Sequence, residues 1–462
     1  MNNNSMENFD FKNLESFWIK IVDNNVVYYW KKLLDIVEKY WSPIKIYNPE
    51  IITNRIQKAQ IYFKEAILDN NYNWNYNYCY CTKSNHFSFV IKQILWNNKE
   101  KLDNESVHLE TSSSFDADII THLDINPETF IIHNWFKANN YINSIKILSK
   151  KYKNSICVLD NLDELNDLNE VIDENYKIWI RMATKEKWKN TEISRLWVPM
   201  DDIIPFVKDK LNKYPNFELK MVHFFMNFGI KDDEEYYEWL KNHVEKYCEI
   251  KNICPSLEML NIWWGLPIRF WFDENYDYKN MIENIVKTIK EVCDKNNVLH
   301  PNIFSEFWSY TVWESAINIY EVLREKVQKS GENWYMIDSS FMTTIPDSWW
   351  LHQSFPVLPL NNLWNETKNV RLGWITCDKD DYLTNKNGEY YNMPILNKNK
   401  PLYFMVMHTW AYQENISGYG IWWLSHCQLD WEKILVLKEN WEIEVFFDWN
   451  DTKERLKTLG YE

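Results

Sequence analysis

Residues 78–83, YCYCTK, lead after three residues into 87–95, FSFVIKQIL. The first run has the length and apolar character of a strand, and the second spaces its apolar residues at helical period. The pair recurs along the chain. Further strand candidates are VHLETS (107–112), TFIIHN (129–134), ICVLDN (156–161), KIWIRM (177–182), LKMVHFFM (219–226), LEMLNIW (257–263) and NIFSEF (302–307). Between them lie segments of helical period such as NYINSIKILSKKY, DELNDLNEVI, DDIIPFVKDKL, EEYYEWLKNHVEKY and YKNMIENIVKTIKEV. Eight such units match an α/β fold of the (β/α)₈ TIM-barrel type in number and length, and a doubly wound open sheet is the alternative. The barrel is expected over residues 71–320. Beyond 320 the pattern changes to strand-like segments, NWYMIDSSF, VRLGWITC, PLYFMVMHT, KILVLKE and EIEVFF, with turn signals such as Asn387-Gly388 between them. These predict a β-sandwich or β-barrel domain over 321–462, completed by a contribution from residues 1–70.

A chain of 462 residues with 45% apolar content has room for two domains, each with a core. The formal charge of −15 and pI near 5.3 argue against nucleic acid or an anionic membrane as partner and favour a cationic small substrate by electrostatic steering. The start, MNNNSMENFD, lacks the basic and apolar regions of a signal peptide, and no run of about 18 apolar residues is present. The expectation is a cytoplasmic protein. Eight cysteines occur without a CxxC pair, so neither a zinc ribbon nor a disulfide framework is predicted, and no metal site is expected.

The composition holds a second signal. The chain has 26 tryptophans and 8 glycines. A chain of this length at ordinary usage carries roughly 32 glycines, and the two counts here come together to 34. Tryptophan also stands where backbone geometry asks for glycine: Asn440-Trp441 precedes EIEV, where an Asn-Gly step would form a tight hairpin, and Trp263-Trp264-Gly265 follows an apolar run. One explanation is a tryptophan-rich protein that uses indoles as core anchors. The other is a gene whose code assigns glycine to a triplet translated here as tryptophan; the abundance of Asn, Lys, Ile and Tyr suggests an AT-rich gene in which such reassignment is plausible.

In a barrel of this kind reactive side chains gather at the C-terminal ends of the strands. Lys83 closes the first strand candidate, and Glu110 and Glu306 lie near the ends of the second and the last. Taken singly, each is as well explained as a solvated loop residue or a surface ion-pair partner. Taken with YCYCTKSNHF, HLETSSSFDADI, RLWVPMDDI, ICPSLEMLNIWWGLPI, FSEFWSYTVWES, WYMIDSSFMTTIPDSW, TCDKDDY and HTWAYQENISGYG, they resemble the barrel-fold pyridoxal-phosphate decarboxylases. That family includes ornithine, diaminopimelate and biosynthetic arginine decarboxylases. The resemblance covers most of the chain and is greatest to a compact bacterial arginine-acting type.

The resemblance implies a homodimeric lyase that uses pyridoxal 5′-phosphate and releases CO₂ from a basic amino acid, L-arginine to agmatine in polyamine synthesis, with ornithine, diaminopimelate or carboxynorspermidine as alternatives. Lys83 would bond the cofactor aldehyde, and Glu306 would keep the pyridine nitrogen protonated. Glu110 and Phe225 would lie near the cofactor ring, with Phe225 rather than His223 in the stacking place. Tyr412 would hydrogen-bond the phosphate. Cys377 would return a proton after CO₂ leaves, and Asp378 would take the distal cation of the substrate, both reaching into the partner's site. The family cradles the phosphate with a run of three glycines; the corresponding residues here are Trp263, Trp264 and Gly265. Trp41, Trp135, Trp179, Trp197, Trp308, Trp313, Trp350, Trp374 and Trp410 likewise fall at expected glycine positions, whereas Trp239, Trp334 and Trp349 fall where an aromatic is natural. Two other readings stand beside the decarboxylase. If the tryptophans are real, a catalytically inactive binding or regulatory relative gains ground. A racemase on the same barrel is disfavoured by TCDKDD, and product chirality discriminates it.

Overall fold

The computed structural model describes residues 13–448 apart from 96–105, 184–196, 225–232, 264–265, 374, 398, 417–431 and 441, together with a few residues beyond 448. Its contacts divide the chain into two units, one of residues 53–267 and 276–311, the other of residues 1–52, 268–275 and 312–462.

The first unit is a closed barrel. Its strands are β1 (Tyr76–Cys81), β2 (Val107–Thr111), β3 (Ile131–His133), β4 (Ser155–Leu159), β5 (Tyr176–Ala183), β6 (Phe217–Phe224), β7 (Met259–Asn261) and β8 (Asn302–Ser305). Each pairs in parallel with the next, and β8 returns to β1. The open sheet is thereby set aside: β4 bonds β5 and β8 bonds β1, so no edge remains. Parallel strands need crossovers, and helices such as Asn139–Lys151, Asp233–Ile253 and Tyr278–Lys295 supply them. Tyr278–Lys295 buries Met281, Ile282, Ile285, Val286, Ile289 and Val292, the 3–4 spacing read from its sequence, and Asp277 caps its start by accepting from the Asn280 N–H. Inside the barrel Cys79, Ile132, Ile156, Val158, Trp179, Met221, Met259 and Phe304 form one buried cluster.

The second unit is built on a long central strand, β9 (Ala316–Val327). It pairs antiparallel with β10 (Asn333–Ile337) and β12 (Leu402–Met407), and with Ile44–Tyr47 from far upstream. Ile44–Tyr47 also pairs in parallel with β13 (Lys433–Leu437), and β10 pairs in parallel with β11 (Thr367–Gly373). One sheet face packs an apolar core of Ile44, Ile46, Ile317, Ile319, Met405, Met407 and Leu435. By strand alternation Lys45, Tyr47 and Asn318 belong to the opposite face, which is buried as well.

Candidate active site

The parallel register of the barrel delivers polar residues to one end. In the β1–β2 pair Cys81 lies opposite Glu110, and a short 3₁₀ turn, Thr82–Ser84, carries Lys83 just past the strand. That turn is tied down locally: the Thr82 hydroxyl donates to the Glu110 carbonyl at 2.8 Å and the Ser84 hydroxyl to the Cys81 carbonyl at 2.8 Å. Lys83 Nζ therefore meets the Glu110 carboxylate at 2.7 and 2.9 Å. Glu110 is fully buried, so the attraction between these charges is screened less than at the surface, and removing either partner would strand the other.

Glu306 follows β8 and is 2% exposed. Asn261, the last residue of β7, donates to its Oε1 at 2.7 Å, Cys81 Sγ approaches its Oε2 at 3.6 Å, and His223 Nδ1 on β6 lies 3.9 Å from its Oε1. Burial and the neighbouring Glu110 charge push the Glu306 carboxyl up to about 7, against the opposing pull of Lys83 and Arg181. Burial, followed by the charges of Arg181 and Lys83, holds His223 well below the usual imidazole range. Its two ring nitrogens have no hydrogen-bond partner among the described residues. Arg181 on β5 is 1% exposed, donates from Nη1 to Asn134 Oδ1 at 3.2 Å, and lies between the rings of Trp135 and Trp197, 4.7 and 4.8 Å from their centroids. Burial lowers its guanidinium to about 10. Cys81, Glu110 and Glu306 bring their ligand atoms within 4.8 Å of one another, a grouping the cysteine pattern did not announce; the Lys83 ammonium beside Glu110 supplies a positive charge to it.

The sequence reading thus meets Lys83, Glu110 and Glu306 in one buried cluster. It passed over Arg181 and Asn261, although each is a polar residue near the C-terminal end of a largely apolar strand. Phe225, Trp264 and Gly265 lie outside the described residues, whereas His223, set second to Phe225, stands beside Glu306. Trp263 is buried with φ of 61°, and its N–H donates to Asn261 Oδ1 at 2.8 Å. Cys377, Asp378 and Tyr412 belong to the second unit: Cys377 is exposed in the loop between β11 and the strand Tyr382–Leu383, Asp378 Oδ1 accepts from the Asp380 N–H at 2.9 Å, and Tyr412 is half-buried with φ of 62°.

A barrel of eight parallel strands with a lysine–carboxylate pair and a second buried carboxylate at the ends of its strands is the frame of a cofactor-dependent enzyme. Residues 54–312 match the family model of the pyridoxal-dependent decarboxylases, pyridoxal-binding domain, and the chain belongs to that family. It is 20% identical to a biosynthetic arginine decarboxylase of Bacteroides thetaiotaomicron over 81% of this chain and 77% of that one. It is 25% identical to one of Prochlorococcus marinus over 61% of this chain, but spans only 45% of that relative's length. The crystal structure of a biosynthetic arginine decarboxylase from Campylobacter jejuni superposes with a TM-score of 0.80 at 18% identity, over all of this chain and 93% of that one. Among the described residues no helix is long and apolar enough to cross a membrane.

The family's cofactor is pyridoxal phosphate, and the residues present fit one end of it. Lys83 is an amine at a barrel mouth, and Glu306 is a carboxyl poised between charge states. The phosphate end does not fit. At Trp263 a bulky side chain occupies a left-handed backbone position whose N–H is already given to Asn261, where a phosphate cradle needs a free N–H and no Cβ.

The Glu306 environment makes a prediction for the cofactor-free protein. Because the folded carboxyl holds its proton more tightly than an unfolded one, its contribution to stability is complete below about pH 4.5 and is lost as pH rises to about 7. The change corresponds to about 3 kcal/mol at most. Melting curves between pH 4.5 and 7.5 should therefore fall more steeply for the parent than for Glu306→Gln, and equal slopes would show that the carboxyl is not so perturbed.

Proposed function

We propose that this protein, with glycine at the eleven tryptophan positions named above, decarboxylates L-arginine to agmatine and CO₂ for polyamine synthesis, as a cytoplasmic homodimer carrying pyridoxal phosphate on Lys83. The observation that carries the reading is the pair of buried contacts at the strand ends, Lys83 with Glu110 and Glu306 with Asn261. The arginine decarboxylases among its relatives support the substrate. What the cofactor supplies when bound is a sink for the electron pair left behind by CO₂. The chain supplies the rest. Glu110 orients the Lys83 amine, Asn261 fixes the Glu306 carboxyl, and that carboxyl holds a proton at its buried oxygen for the ring nitrogen. Cys377, on an exposed loop, is the proton donor to the carbon that lost CO₂, a role for a thiol with accessible solvent on one side. Asp378 beside it takes the distal cation of the substrate, and both act in the site of a second copy of the chain. Ornithine, diaminopimelate and carboxynorspermidine are the other substrates to be compared. A regulatory relative without activity is the second reading, and the Trp135 ring 5.4 Å from Lys83 Nζ is what favours it.

The test compares the chain as written with a version carrying glycine at the eleven tryptophan positions named above, and measures CO₂ release from arginine, ornithine and diaminopimelate. Release from arginine in preference to the other two supports the reading, and no release by the glycine version from any of them overturns it. In the active version Asp378→Asn should raise KM for arginine by roughly tenfold or more through loss of a charge-assisted hydrogen bond. Cys377→Ser should lower kcat and leave KM near its parent value.

A further inference from the structure

Left-handed backbone is the province of glycine and, for short polar side chains, of asparagine and aspartate. Among the described residues sixteen non-glycine residues have such φ angles, and six of them are tryptophans: Trp18 (61°), Trp30 (71°), Trp41 (65°), Trp135 (63°), Trp197 (74°) and Trp263 (61°). No other residue type is as frequent there; asparagine contributes five. Each local context is one that selects glycine. Trp30 is the second residue of a two-residue hairpin loop between Tyr28 and Lys31, with Tyr29 also left-handed at 47°, the geometry for which Asn-Gly is preferred. Trp41 ends the helix Leu33–Tyr40 and donates its N–H to the Val37 carbonyl, the position where helices most often place glycine. Trp18 ends the turn Leu14–Phe17 in the same conformation. Trp135 and Trp263 lie two residues past the ends of β3 and β7, and Trp197 precedes the short strand Val198–Pro199 that bonds β5.

Packing adds a second observation on the tryptophans. Trp179 and Trp410 are fully buried, and their indole N–H groups, like that of Trp135, have no acceptor among the described residues. A buried donor without a partner is what a native core avoids. The Trp334 indole N–H is unpartnered too among the described residues, so what sets Trp334 apart is its fit to the backbone around it. It lies in β10 with no left-handed φ and packs its ring over Gly373, where a Cβ would come within 2.7 Å of it. Here a glycine makes room for a tryptophan, as two correctly placed residues do.

We infer that the protein as its own cell makes it carries glycine at positions 18, 30, 41, 135, 197 and 263, read from a triplet that is written here as tryptophan, and carries tryptophan at 334. Positions 18 and 30 extend the set expected from sequence. The consequence falls on the site. Trp135 and Trp197 both pack against the Arg181 guanidinium, and Trp135 also lies beside the Lys83 ammonium. Glycine at 135 and 197 uncovers a buried cation and the reactive amine together, and glycine at 263 removes the side chain from the left-handed position after β7, where a phosphate cradle has no room for one.

Peptide mass spectrometry of the protein isolated from its source cells tests this directly. Peptides spanning 41, 135, 197 and 263 should each be lighter than written by the replacement of an indolylmethyl group with hydrogen, while the peptide containing 334 should have the written mass. The gene should show TGA at the first set and TGG at 334. Tryptophan masses, or TGG triplets, at 135, 197 or 263 overturn the inference. A second comparison uses purified protein: the version with glycine at the six positions and at 264 should take up pyridoxal phosphate in a one-to-one ratio, read by absorbance, and the chain as written should not. Equal uptake by both versions overturns the account of the site. Glycine in the native protein with no decarboxylation would leave this inference standing and remove the proposed activity, so the two are judged separately.

Discussion

Replacing Lys83 by methionine should abolish decarboxylation, by roughly a thousandfold or more as for other enzymes deprived of their nucleophile, together with the absorbance of lysine-bound pyridoxal phosphate. The prediction needs a control because Lys83 has two jobs. Its ammonium also neutralises Glu110, which is fully buried, at 2.7 Å. Lys83→Met therefore leaves a carboxylate in the barrel mouth without its cation, and part of any loss could come from a site that has rearranged around it. Lys83→Arg separates the two jobs. Arginine keeps the charge and can reach the Glu110 oxygens, but a guanidinium does not deprotonate to bond an aldehyde. If Lys83→Arg folds with parent-like thermal stability and is as inactive as Lys83→Met, the amine is the reactive group. If Lys83→Arg retains activity, Lys83 serves only as the ion-pair partner of Glu110 and the proposed chemistry is overturned.

How far the molecule was legible in its sequence depended on whether the relevant signal was local. The eight barrel strands are short apolar runs closed by turns, and their edges in the structure fall within about two residues of the sequence reading, a margin ordinary for element boundaries. Lys83 and Glu110 stood out at or near the ends of strand candidates, whereas Glu306 was legible only through the resemblance carried by the residues around it. The pairing of Ile44–Tyr47 with β9 and β13 is of the opposite kind, since nothing in IKIY says which strand hundreds of residues away will bond it. Arg181 was hidden by its surroundings. In KIWIRM it reads as one polar residue at a strand end, and only the closed barrel shows it between Trp135 and Trp197, at hydrogen-bond distance from Asn134. Asn261 was hidden likewise, because its function is to hold another side chain. The tryptophan excess was legible as a count, and the resemblance marked positions 41, 135, 197 and 263 among its eleven, but positions 18 and 30 were not marked. What marks those two is φ, which the sequence does not display.

The largest effect on stability is expected far from the lysine, in the sheet of the second unit. IKIY at 44–47 alternates its faces: Ile44 and Ile46 enter the apolar core, so Lys45 and Tyr47 must enter the other side. That side is dry. Lys45 is wholly buried and forms an ion pair with Glu414, which Tyr47 also reaches through its hydroxyl, while Asn318, opposite Lys45 in the pairing with β9, donates to buried Glu432. One ammonium thus faces two buried carboxyl groups. Burial already pushes Glu432 up to about 8, and the Lys45 charge is the leading influence opposing that rise. Lys45→Met preserves much of the side-chain volume but removes the charge, so the loss is electrostatic rather than a cavity. Breaking a buried pair in this way costs about 3–5 kcal/mol, which in a unit of this size lowers the melting temperature by roughly 6–20 °C. The double replacement Lys45→Met with Glu414→Leu should recover most of that loss, because it removes the stranded carboxylate as well as its partner. Thermal or urea unfolding of the three proteins decides the matter. A single variant as stable as the parent would mean that Lys45 is not dry, and a double variant no better than the single would mean that Glu414 is not the group it neutralises.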